Sequence, residues 1–162
     1  MSAGIDYTLA KPTGDLAYLA PGFRKAVEAA MAECTALGLD AMVYETYRSS
    51  ALQALYYQRG RTVRPPDAPV TNARTNLYSW HGYGLAVDVI HRAQRWEAPL
   101  DWFREVSEVF KKYSCKWGGD WTSPDLPHLQ WGPCKASPSD RARELIRARG
   151  VEAVWEAVAA LA

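Results

Sequence analysis

The chain has 162 residues, 48% of them hydrophobic and 23% charged, with 19 basic side chains against 18 acidic ones. That length suits one domain with a substantial core, and the balance excludes both a disordered chain and the basic surplus of a nucleic-acid binder. No apolar run approaches the roughly 20 residues needed to cross a bilayer. The first residues lack a charged and then apolar leader, so the expectation is a protein made in the cytoplasm without a signal peptide or membrane insertion.

In chain order, Pro21 to Leu37 sets Phe23, Val27, Ala30, Met31, Cys34 and Leu37 on one helical face, opened by Pro21 and closed by Gly38. Asp40 to Tyr47 alternates, Met42, Tyr44 and Thr46 against Val43, Glu45 and Tyr47, which predicts a strand. Ser49 caps a predicted helix that carries Leu52, Leu55 and Tyr56 and stops at Gly60. From Arg61 to Tyr78 the chain is rich in Pro, Arg, Thr and Asn without periodicity, the pattern of a long functional loop. Leu85 to Ile90 is a second predicted strand, with Ala86 and Asp88 on one face and Leu85, Val87 and Val89 on the other. Trp102, Val106, Val109, Phe110 and Tyr113 mark a further helix, with Asp101 as its expected cap.

Pro127 to Trp131 reads as a third strand with His128 and Gln130 on one face. Pro127 fixes its own φ and keeps Leu126 extended, which sets Asp125 and His128 in a defined relation. Beyond Pro138 the chain turns to Arg and Ala with a break at Gly150. Two short helices are expected there, 135–162 packing as a hairpin on a catalytic unit of 1–134, because neither is stable alone in water. Their arginines, Arg141, Arg143, Arg147 and Arg149, read as a solvated face. The expected fold is α+β, a small antiparallel sheet flanked by helices.

The chemistry concentrates in Ser79 to Asp88, which reads S-x-H-x-x-G-x-A-x-D, and in Asp125-Leu126-Pro127-His128. His81 and Asp88 are too far apart for one helical face and of the wrong parity for one strand face. Gly82 and Gly84 resolve this by making a turn that leaves His81 at a loop edge while Asp88 rides the strand. Two histidines and a carboxylate are the donor set of a catalytic zinc site, which keeps a fourth position for water, so one Zn²⁺ on His81, Asp88 and His128 is expected. Asp125 reads as the general base that takes a proton from water and returns it to a leaving amine. Its other reading is a partner that fixes the tautomer of the imidazole.

Arg48 reads as a group that binds a substrate carboxylate or steadies an oxyanion, against a plain charge at a helix start. Ser79 and Gln53 are candidates for hydrogen bonds to a peptide substrate, against capping and packing roles. His91 falls on the strand face opposite Asp88 and outside the metal set. Cys34 lies in a helical apolar stripe and reads as a small buried hydrophobe. Cys115 and Cys134 bracket the Asp125/His128 segment and are open to a disulfide or to an approach to the metal.

These residues resemble the zinc peptidoglycan peptidases of the D-Ala-D-Ala carboxypeptidase and L-alanyl-D-glutamate endopeptidase family, which share the hedgehog-type D,D-peptidase fold. The resemblance runs over about residues 14–132, through Tyr47-Arg48-Ser49 with Gln53, Gly60-Arg61-Thr62, Val70-Thr71, the two-part metal motif and Trp117-Gly118-Gly119-Asp120-Trp121. It implies His81, Asp88 and His128 on zinc, Asp125 as base and Arg48 at the substrate or transition state. The Gly-Arg-Thr and W-G-G-D-W segments are similar to the endopeptidase branch, which includes phage endolysins, and imply cleavage of L-Ala-D-Glu in peptidoglycan stem peptides by a monomer released to the wall. A D-Ala-D-Ala carboxypeptidase on the same fold and a non-catalytic zinc or wall-binding module are the alternatives. Gln130 departs from the family, which often has an acidic residue there.

Overall fold

Four strands are present in a computed structural model of the chain, which describes residues 5–62, 71 and 73–161. They are β1 (Ala41–Glu45), β2 (Ala86–His91), β3 (Cys115–Trp117) and β4 (His128–Trp131), and all pair antiparallel in the order β1-β2-β4-β3. The helices are α1 (Pro21–Ala36), α2 (Ser50–Gln58), α3 (Leu100–Lys112), α4 (Asp140–Arg149) and α5 (Val151–Ala159). The fold is the α+β arrangement expected.

α1 starts with Pro21 in its first turn and buries Phe23, Val27, Ala30 and Cys34, the spacing of one helical face. α3 buries Trp102, Phe103, Val106, Val109 and Phe110, and these join α1 in one core cluster with Val87, Val89 and Leu129 of the sheet. Full burial of each such large apolar side chain contributes about 1.5–3 kcal/mol. Asp88 points to the other face, so the packed side of β2 fixes the direction of its functional side. α4 and α5 extend the same core through Ala142, Val154 and Val158. The Trp155 indole donates to the Tyr83 carbonyl at 2.6 Å, and the Arg143 guanidinium lies 4.1 Å from the centre of the Tyr78 ring. The C-terminal pair therefore grips the turn that carries His81.

Register decides the site. Glu45 is opposite Asp88, and Asp88 is opposite His128, so three polar residues form one row across β1, β2 and β4. A bulge between Val43 and Glu45 sets that alignment.

Some elements differ from expectation. β3 is too short to show periodicity and arises from pairing Cys115 with Trp131. Asp101 is not the cap of α3: Pro99, extended at φ −68°, holds that place, and Asp101 sits in the first turn with Arg104 at 3.3 Å. Its charge still suits the positive end of the helix. Ser49 does cap α2, accepting from the Leu52 N–H at 3.1 Å. Of the expected loop from Arg61 to Tyr78, residues 63–70 and 72 lie outside the described residues, and Asn76–Tyr78 is a 3₁₀ turn. The three cysteines are buried and free, so Cys115 and Cys134 form no disulfide. Burial pushes both thiols up to about 12, which leaves them inert as nucleophiles at neutral pH.

Candidate functional site

His81 stands in a 3₁₀ turn, Trp80–Tyr83, whose end is closed by Gly84 at φ 66°. A Cβ on Gly84 would lie 2.2 Å from the Tyr18 carbonyl oxygen, so both dihedral and space call for glycine there. Ser79 caps the turn, accepting from the His81 N–H at 3.2 Å. Gly118 has a matching role on the other side: a Cβ there would meet the Asp125 carbonyl at 2.6 Å and the His128 Cβ at 3.0 Å. Its bareness lets the Asp125 to His128 bracket lie close.

The turn, β2 and β4 bring His81, Asp88 and His128 together, with one donor atom from each within 4.8 Å of the others. His81 Nε2 is 3.2 Å and His128 Nδ1 is 3.8 Å from Asp88 Oδ1. The far nitrogen of each ring faces an oxygen that accepts: His81 Nδ1 lies 3.4 Å from the Thr46 carbonyl, and His128 Nε2 lies 2.8 Å from Gln130 Oε1. A proton on each outer nitrogen is the tautomer in which both rings turn a lone pair toward Asp88; with the proton on Nε2 instead, His81 donates to Asp88 Oδ1 across 3.2 Å. Three electron-pair donors aimed at one point repel unless a cation or a proton lies between them. The donor set fits Zn²⁺, which takes nitrogen and carboxylate oxygen together.

The surrounding fields agree. Burial first, and then the neighbouring His81, holds His128 down at about 4, so it is neutral and free to ligate at neutral pH. Burial raises Asp88, but in the protonated cluster the charge and hydrogen bond of His81, then the charges of His128 and Arg48, outweigh it and hold the carboxyl well below the ordinary range. Asp125 goes the other way, up to about 6, through desolvation first and the Asp88 charge second. Its side chain is still 50% exposed, with Oδ2 3.9 Å from His128 Nδ1. A carboxylate poised near neutrality at the lip of a ligand cluster has the acidity a general base needs. Trp121 covers the His128 ring, with centres 4.9 Å apart.

Arg48 lines the same cavity but is not free in it. Its Nε donates to Glu45 Oε1 at 2.5 Å, its Nη1 to Gln53 Oε1 at 3.0 Å, and its guanidinium lies 4.8 Å from the centre of the Tyr56 ring. Glu45, 1% exposed, also accepts from the Tyr56 hydroxyl at 2.8 Å, and its Oε1 is 4.0 Å from His81 Nδ1. In the sequence Glu45 stands out only as part of the strand alternation. The available signal was an acid in mid-strand, three residues before Arg48.

Gln53 is fully buried and braces the site from behind: its amide donates to the Ala73 carbonyl at 2.7 Å while holding Arg48. Ser79 reaches the cavity as well as capping the turn. His91 stays apart from the cluster, its Nδ1 accepting from the Ala93 and Gln94 N–H groups at 3.0 Å. Cys115 and Cys134 are outside the ligand group too.

A buried His-Asp-His centre with a poised carboxylate, on a four-stranded sheet, is the architecture of a metallopeptidase. Residues 72–131 match the family described as D-alanyl-D-alanine carboxypeptidase. The chain is 33% identical over 128 residues to the peptidoglycan L-alanyl-D-glutamate endopeptidase CwlK of Bacillus subtilis, covering 71% of this chain and 74% of that one. The fold resembles the crystal structure of the Serratia marcescens L-Ala D-Glu endopeptidase ChiX, with a TM-score of 0.53 at 22% identity over 72% of this chain and 82% of the other. The chain belongs to this family of zinc peptidoglycan peptidases.

Proposed function

We propose that the protein is a zinc-dependent endopeptidase that hydrolyses the L-Ala-D-Glu bond of peptidoglycan stem peptides. The observation that carries the reading is the convergence of His81, Asp88 and His128 on one point with Asp125 beside it. Kinship with CwlK supports the choice of bond. His81, Asp88 and His128 hold the metal. Bound there, Zn²⁺ supplies a Lewis acid for the scissile carbonyl and for water.

Asp125 takes the proton from the attacking water and delivers it to the leaving nitrogen. Arg48, with two nitrogens committed to Glu45 and Gln53, offers the remaining one to a substrate carboxylate or to the oxyanion. Ser79 hydrogen-bonds the peptide from the cavity wall, whereas Gln53 serves by holding Arg48. The catalytic unit, 1–134, and the helical pair, 135–162, work as one body and as a monomer that reaches the wall after release. No described helix is long and apolar enough to cross a membrane.

The family description also names a carboxypeptidase, and defined substrates separate the two activities. A soluble stem pentapeptide incubated with the zinc-loaded protein is expected to split between L-Ala and D-Glu. Release of terminal D-Ala instead would assign the carboxypeptidase reaction. No product from a protein that binds zinc would leave a binding module.

A further inference from the structure

The cavity lined by His81, Asp88, Asp125 and His128 measures about 990 Å³, and Tyr44 and Trp96 form part of its wall. Trp96 lines it, yet its side chain is 48% exposed. The indole stands edge-on to Tyr44, with centres 4.8 Å apart and planes at 77°, and the Arg95 guanidinium lies 5.7 Å from the Trp96 ring. The T-shaped contact with Tyr44 and the guanidinium above the ring hold the indole in place while leaving about half of the residue exposed.

The turn that presents Trp96 is held under strain. Arg95 has φ 57°, a left-handed conformation costing about 1–2 kcal/mol outside glycine. His91 holds it there: Arg95 N–H donates to the His91 carbonyl at 2.9 Å, and the His91 ring caps the Ala93 and Gln94 amides. The ring also packs on Trp102, with centres 5.3 Å apart. Arg95 Nη1 reaches Met42 Sδ at 3.3 Å. The histidine left outside the metal set therefore helps to build the turn that presents the half-exposed Trp96 with Arg95 beside it.

A cavity of this size, at the upper end of small-ligand sites, exceeds the two amino acids that flank a scissile bond. In peptidoglycan the L-Ala nitrogen is acylated by the lactyl group of N-acetylmuramic acid, so a sugar lies one residue from the L-Ala-D-Glu bond. The C–H face of a pyranose is apolar and flat, and it matches an exposed indole, while its hydroxyl and acetamido groups suit a flanking guanidinium. We propose that Trp96, seated on Tyr44 beside Arg95, is a platform for the N-acetylmuramoyl ring that carries the stem peptide. This inference rests on the peptidoglycan reading above.

The test compares one stem peptide with and without its N-acetylglucosaminyl-N-acetylmuramoyl group, using the zinc-loaded full chain and the variants Trp96→Ala and Trp96→Tyr. Trp96→Ala is expected to lower kcat/KM for the sugar-bearing substrate about fivefold to tenfold, chiefly through KM, with the sugar-free peptide changed by less than about twofold. Trp96→Tyr should retain most of the preference. Equal losses on both substrates, or no wild-type preference for the sugar, would overturn the platform. Titration of the free disaccharide, followed by the NMR signal of the Trp96 indole N–H, supplies a readout that needs no cleavage. Should neither peptide be cut, the endopeptidase reading fails, and a saturable shift of that signal still supports the platform whereas its absence refutes it.

Discussion

Glu45→Gln is the perturbation that probes the least expected part of the site. The Glu45 carboxylate is buried and gives one oxygen to Arg48 Nε at 2.5 Å and the other to the Tyr56 hydroxyl at 2.8 Å. Glutamine keeps the shape, but its NH₂ must then face one of two donors, and Arg48 loses its counter-charge. Removing one partner of a buried pair costs about 3–5 kcal/mol. Arg48 retains Gln53, the Tyr56 face and 11% exposure, so the expected loss is smaller, about 2–3 kcal/mol. For a chain of this size that is a fall in Tm of about 5–10 °C, measured on the zinc-free protein so that ligand stabilisation does not hide it. On the zinc-loaded protein, kcat/KM should fall about tenfold to a hundredfold because the guanidinium is no longer aimed. Arg48→Gln and the double variant complete a cycle. The double variant should be little worse than either single one, with a coupling of about 1.5–3 kcal/mol in stability. Additive effects, or a Glu45→Gln protein as stable and active as the parent, would refute the reasoning.

Gln130 accepts from His128 and donates to the Lys135 carbonyl at 2.7 Å, a pair of tasks no carboxylate can perform. Gln130→Glu should therefore lower stability by about 1–3 kcal/mol in chemical denaturation, and Gln130→Leu should weaken zinc binding about tenfold to a hundredfold in a competition titration. Gly118→Ala places a methyl 2.6 Å from the Asp125 carbonyl and should cut turnover while far-ultraviolet circular dichroism stays unchanged. In the zinc-free protein His128 is held below its unfolded value, so between pH 6.5 and about 4 the unfolded chain binds the extra proton and stability falls as pH falls, by up to about 3 kcal/mol. Asp125 is raised instead, so from about pH 4 to about 6 the folded state binds the extra proton and stability falls as pH rises, by about 1 kcal/mol once its exposed half is allowed for. Asp125→Asn should thus raise the zinc-free Tm at pH 7 and steepen its decline toward pH 4.5, as thermal scans would show.

The cluster of His81, Asp88 and His128 was legible because the position of each residue is set locally. Gly82 and Gly84 announce the turn under His81, the alternation of Leu85 to Ile90 aims Asp88, and Pro127 brackets His128. Glu45 was hidden because strand alternation grouped it with Val43, whereas the bulge between these two residues places it opposite Asp88. Bulges leave no mark in a pattern of polar and apolar residues. For Gln53 the sequence leaves a substrate hydrogen bond and a packing role open, and the choice rests on non-local partners, Arg48 and the chain returning at Thr71 and Ala73. β3 exists through its partner strand alone, and a three-residue segment carries no period of its own. The role of His91 likewise depends on a turn that begins after the strand ends.

The most direct test of the account is mass spectrometry of the soluble products from purified peptidoglycan treated with the zinc-loaded protein and, in parallel, with Asp125→Ala. New amino-terminal D-Glu is expected from the parent protein, and none from a variant that still binds one zinc per chain. Hydrolysis that survives in Asp125→Ala, or a parent protein that binds zinc and releases no amino-terminal D-Glu, would contradict it.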